Sequence, residues 1–98
     1  MKLELNSLVH TDLLDVVDYY FNSDKASLAT EFYSEFRRCI DQVIIRPDSY
    51  PVYTKNFRRV NLKRFPYHFL YRIVDRKIVR IIVVRHDHRD PRFGINRN

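Results

Sequence analysis

After a short opening strand, hydrophobic positions along this chain follow a helical period up to about residue 46 and a period of two from residue 57 onward. Lys2-Leu3-Glu4-Leu5 alternates as an edge strand does. From Thr11 to Phe21, Leu13, Val17, Tyr20 and Phe21 share one helical face and Asp15 and Asp18 turn away from it; the early acids suit a helix N-terminus. Asn22-Ser23-Asp24 interrupts the pattern, and Asp24 is the predicted N-cap of a second helix. In that helix Leu28, Phe32, Phe36, Cys39, Ile40 and Val43 recur at steps of three and four, and Pro47 ends it. The short connection predicts a hairpin of antiparallel helices.

In the second half, Val60 and Leu62 alternate with Arg59, Asn61 and Lys63. Tyr67, Phe69, Tyr71 and Ile73 oppose His68, Leu70, Arg72 and Val74. Beyond a turn at Asp75-Arg76-Lys77, the run Ile78 to Val84 is apolar except for Arg80, as in a central strand covered on both faces. Strict alternation places Val79, Ile81 and Val83 toward the helices, with Ile78, Ile82 and Val84 on the opposite, concave face near Arg59, Arg72 or Arg80. The predicted fold class is α+β: an N-terminal strand and an α-helical hairpin packed on a small twisted antiparallel sheet. The whole chain, 1–98, reads as one domain whose basic C-terminal tail (86–98) is expected to be partly disordered in isolation.

Composition narrows the function. The only glycine is Gly94, so the glycine-rich turns of P-loop and dinucleotide folds are excluded, and no cofactor is expected. A single cysteine, Cys39, on the apolar face of the second helix, agrees with a reducing compartment and with a place in the core. No apolar run is long enough for a membrane span, and the first residues lack a signal-peptide core; a cytoplasmic location without membrane contact is expected.

Charge is divided unevenly. Residues 1–54 hold five Lys/Arg against nine acids, a balance of −4, whereas residues 55–98 hold thirteen against three, a balance of +10. Such asymmetry sets up a steering field for a polyanionic or acidic partner. Arg58, Arg59, Lys63 and Arg64 lie on one strand and its end, and Arg85, His88, Arg89 and Arg92 follow the last strand; these are the candidate residues for nucleic acid or an acidic partner.

The densest polar cluster is His86-Asp87-His88-Arg89-Asp90-Pro91-Arg92. Its His-x-His pair has metal-ligand spacing, but the neighbouring arginines would repel a cation, and no metal is expected. Histidines and arginines together can cleave RNA through its own 2′-hydroxyl, supplying base, acid and charge stabilisation without a metal. For individual residues, ion pairs with Asp87 and Asp90 that pin the tail are the first reading.

Lys63-Arg64-Phe65-Pro66-Tyr67, the apolar-Tyr step that follows, and Val84-Arg85-His86-Asp87-His88-Arg89-Asp90-Pro91 resemble the RelE/ParE superfamily of toxins from type II toxin-antitoxin systems. The likeness spans nearly the whole chain, and His86-x-x-Arg89-x-Pro91 is its more specific part. The resemblance implies a growth-inhibitory toxin neutralised by a cognate antitoxin, whose acidic, partly disordered segment folds as it binds.

RelE-like members cleave messenger RNA on the ribosome with basic residues and a tail tyrosine. Carried over by position, Arg59 matches one basic site, while Asn61, His68 and Asp87 stand where cations would be and Phe93 where the tyrosine would be. If the chain is an endoribonuclease, Arg59, His68, His86 and Arg89 are the candidate catalytic residues. ParE-like members instead inhibit DNA gyrase by protein contact and need no catalytic set. The Phe-Pro-Tyr and His-x-x-Arg-x-Pro stretches resemble that branch more, which makes gyrase the first expected target and ribosome-bound mRNA the second. A relict that only binds its antitoxin is a third possibility.

Overall fold

The computed structural model describes residues 1–98. Strand β1 (Lys2–Leu5) leads into helices α1 (Val9–Phe21) and α2 (Ser27–Ile45); β2 (Val52–Thr54), β3 (Phe57–Asn61), β4 (Tyr67–Asp75) and β5 (Ile78–His86) follow. They form one five-stranded sheet in the order β1-β5-β4-β3-β2. Neighbours are antiparallel except β1, which runs parallel to β5 with Glu4 opposite Arg80. The α+β reading holds, with one parallel edge pair and a short edge strand, β2, that the period did not reveal.

The helical hairpin covers one face of the sheet. Phe32, Phe36, Ile40 and Val43 of α2 and Val9 and Val16 of α1 meet Val60, Phe69, Tyr71, Val79 and Ile81 in a single core. Phe65 and Tyr67 meet Tyr20 and Phe32 edge-on at centroid distances of 5.3–6.3 Å, so the Phe65-Pro66-Tyr67 stretch serves as the floor on which the hairpin sits. The Tyr71 hydroxyl donates to the Pro47 carbonyl at 2.5 Å, and burial pushes its pKa up to about 12. Glu35, buried on α2, accepts the backbone N–H of Lys63 at 2.5 Å and ties the helix to the β3–β4 turn.

Four expectations are corrected. Helix α2 begins at Ser27 and Asp24 caps nothing, because Ser23 takes the turn: its hydroxyl donates to Tyr20 O at 2.6 Å and accepts from Lys25 N–H at 3.2 Å. Phe21 is 65% exposed. Steps of four drift about 40° each on a 3.6-residue helix, which carries position 21 away from the stripe that Leu13 begins.

The third correction concerns strand phase. Leu70 pairs with Val83 but Tyr71 pairs with Ile81, so Ile82 is an extra residue on β5. This β-bulge reverses the alternation: Val79, Ile81 and Val84 face the helices, while Ile82 and Val83 face the other side.

The last concerns the tail. It does not hang free: residues 87–98 run in successive turns across the second face, where Phe93 and Ile95 pack on Phe57, Leu70, Ile82 and Val83. A run of apolar residues covered on both faces needs a second cover, and the tail supplies it.

Candidate functional site

β1 covers β5 only as far as Ile81, and the next backbone groups of β5 lack a strand partner. Asp12 of α1 fills that gap. Its carboxylate accepts the Val84 N–H at 3.0 Å and a two-pronged contact from Arg97 at 2.6 and 3.1 Å; Arg97 also donates to Ile82 O at 3.2 Å. Asp12 is 7% exposed. The first helix is thereby latched to the end of the chain. Asp12 stands on the stripe of Val9 and Val16, a polar residue at a core position, and that was the available signal for it. Arg97 carried none.

On the second face the sheet register brings together Arg59, Asn61, His68 and Arg85, since Asn61 pairs with His68 and His68 with Arg85. Tyr53 joins them, with the Arg59 and Arg85 guanidinium carbons 5.1 and 5.8 Å from its ring centre. His68 is 1% exposed. Its Nε2 lies 2.8 Å from Arg85 Nε, which can only donate, so Nε2 accepts and the ring proton sits on Nδ1. That proton is donated to Asp87 Oδ1 at 2.8 Å. Burial pushes the His68 pKa down, against the pull of the Asp87 hydrogen bond and with help from Arg59 and Arg85. Arg85, also buried, spends Nη1 on the carbonyls of Pro91 and Phe93 at 2.9 Å each. This neutral histidine, Arg85 and Asp87 pin the start of the tail.

His86 is on the other face. It pairs with Tyr67, whose ring it meets at 5.0 Å, and its Nδ1 accepts the His88 N–H at 3.0 Å. His86 and Arg89 line a cleft of about 270 Å³ with Asp15, Tyr19 and Tyr67. The four candidate catalytic residues therefore divide into two pairs: Arg59 with His68 behind the sheet, His86 with Arg89 in front. No three His, Cys, Asp or Glu side chains gather as a metal site requires.

The expected binding cations are held unequally. Arg58 donates to Tyr50 O at 2.6 Å, Arg59 lies 3.8 Å from Asp87, Arg64 pairs with Glu31 at 2.7 Å, and Arg92 pairs with Asp90 at 2.8 Å, holding the Asp90 carboxyl at about 2. Arg85 is interior. Lys63, His88 and Arg89 have no carboxylate partner. The Phe93 ring, in the place of a tail tyrosine, lies 3.9 Å from the Arg89 guanidinium and 5.1 Å from that of Arg97.

A pH dependence follows. A histidine whose folded pKa lies below its unfolded value of about 6.5 contributes stability that is complete above that value and is lost as pH falls through the folded pKa. Urea unfolding at pH 7.5 and pH 5 is expected to show a smaller loss for His68→Gln than for the unsubstituted protein, the difference being at most about 1.4 kcal/mol per pH unit. Equal losses would refute the neutral assignment of His68.

Comparison with known proteins adds the following. A family model described as ParE toxin of type II toxin-antitoxin system, parDE, matches residues 3–91. Among solved structures, a chain of the chromosomal ParDE TA system from P. aeruginosa superposes with a TM-score of 0.74 at 17% identity, covering 88% of this chain and 95% of that one. At that identity the likeness shows a shared fold. A search of curated proteins finds no match.

Proposed function

Because this chain belongs to the ParE toxin family of type II toxin-antitoxin systems, we propose that it arrests growth by binding its target, DNA gyrase, and is neutralised by a cognate antitoxin in the cytoplasm. The observation that carries this reading is the state of His68. Buried, neutral and hydrogen-bonded at both ring nitrogens, it offers no lone pair or proton to an RNA, and Arg85 beside it is equally committed. A toxin without a free acid–base pair on that face acts by contact.

The contact surface has candidates on α1, where Leu14, Tyr19 and Phe21 are exposed. The balance of +10 in the second half suits an acidic antitoxin segment that folds on binding. No helix of the chain is long and apolar enough to cross a membrane.

Induction in growing cells without an antitoxin is expected to arrest growth, and purified protein is expected to inhibit gyrase supercoiling or trap cleaved DNA. Unimpeded growth would favour a relict that only holds its antitoxin. Arrest with intact supercoiling and cut transcripts would favour the ribonuclease reading, for which the cleft of His86 and Arg89 is the remaining foothold.

A further inference from the structure

The tail covers only part of the second face. Beyond it, toward the β4–β5 turn, Arg72 and Arg80 stand directly opposite each other on adjacent strands, an arrangement that like charges disfavour. Only Arg80 has a carboxylate beside it: Glu4, at 2.6 Å. Arg72 has no carboxylate partner, and its Nε is buried without any hydrogen bond. Lys2 continues the row on β1, two residues before Glu4 and on the same face. Exposed Arg76 and Lys77 extend it on the turn, where Asp75 is the other acid and accepts the Lys77 N–H at 2.7 Å.

We propose that this row, Lys2, Arg80 and Arg72 with Arg76 and Lys77, binds the phosphate backbone of duplex nucleic acid. Spread over three adjacent strands, the row is about 10 Å wide. That matches the axial rise of about three phosphates of one strand of B-DNA. None of the five principal clefts borders it, so a partner gains charge there without an apolar pocket. Backbone contact has that character: it supplies affinity without reading sequence. An acidic protein segment that folds on binding would need an apolar groove as well. Four of the cations that the sequence favoured at the other end of the sheet are already paired with carboxylates, whereas this end keeps Lys2, Arg72, Arg76 and Lys77 unpaired.

The test is fluorescence anisotropy of a labelled 20-base-pair duplex of mixed sequence, titrated between about 50 and 200 mM salt. Arg72→Gln/Lys77→Gln is expected to reduce the slope of log K against log salt by about two, and Arg89→Gln/Arg92→Gln to leave it within about half a unit. Lys2→Gln/Lys77→Gln, at two exposed positions that no core contact depends on, is expected to repeat the loss of about two and guards against misfolding of the first variant. No binding by the unsubstituted protein, equal slopes in all variants, or an equal loss in the tail pair would overturn the proposal. So would a loss of polyglutamate binding in the Arg72→Gln/Lys77→Gln and Lys2→Gln/Lys77→Gln variants while both still hold the duplex, which would assign the row to an acidic protein.

Discussion

Replacing Asp12 with alanine is expected to cost the protein about 3–5 kcal/mol, the range for breaking a buried ion pair by removing one partner. The substitution leaves Arg97, its side chain 12% exposed, without its counter-charge and strands the Val84 N–H in the gap beyond β1. Against the 5–15 kcal/mol that stabilises an ordinary domain, such a loss is a third or more of the total. Urea unfolding measures it. A double-mutant cycle with Arg97→Met separates the ion pair from the backbone bond, and Arg97→Met is expected to recover part of the loss in the Asp12→Ala background. A cost below about 1 kcal/mol for Asp12→Ala would mean that the latch is ornamental.

Gly94→Ala is the second large effect. Gly94 has φ +81°, and a Cβ there would lie 2.5 Å from Cγ2 and 2.8 Å from Cβ of Val83. Val83 is fully buried on β5 and cannot retreat. Left-handed strain and overpacking together are expected to cost about 2–5 kcal/mol. That cost is bounded by the free energy holding the tail, because the chain can escape it by letting residues 92–98 detach. The decisive readout is therefore limited trypsin digestion: the variant should be cut at Arg92 and Arg97 faster than the parent while β4 and β5 stay protected. Unchanged digestion together with an unchanged unfolding midpoint would show that Gly94 is not needed where it stands.

Much of the architecture was legible because single positions carry periodic signals. Phe32, Phe36, Ile40 and Val43 mark the α2 stripe, and Tyr67, Phe69 and Tyr71 mark a strand, whatever else the chain does. What escaped depends on pairs. The bulge at Ile82 is a mismatch between two strands, and neither strand shows it alone. β1 pairs in parallel with the last strand across most of the chain, a contact no local window contains. The tail looked free because its residues are polar. Its order rests on two aromatic and aliphatic contacts, one glycine and two buried arginine networks.

For the candidate site residues the sequence carried the chemistry of each side chain and not their geometry. Arg59, His68, His86 and Arg89 lie toward one end of the sheet, yet His68 of β4 pairs with Arg85 while His86 of β5 pairs with Tyr67, one step along the ladder, so the two histidines point to opposite faces. The role of His68 depended on Arg85 arriving as an obligate donor, which only the register reveals.

The latch between Asp12 and Arg97 joins residues 85 apart in sequence, and Glu4 meets Arg80 across 76. A chain emerging from the ribosome N-terminus first can assemble α1 and α2 early, but it holds a carboxylate on their apolar stripe with no counter-charge until Arg97 appears. Closure of the native structure thus waits for Arg97 to be made, and the long sequence separations make it slow relative to helix formation. The nascent protein passes through a stage in which the hairpin exists and the finished surface does not.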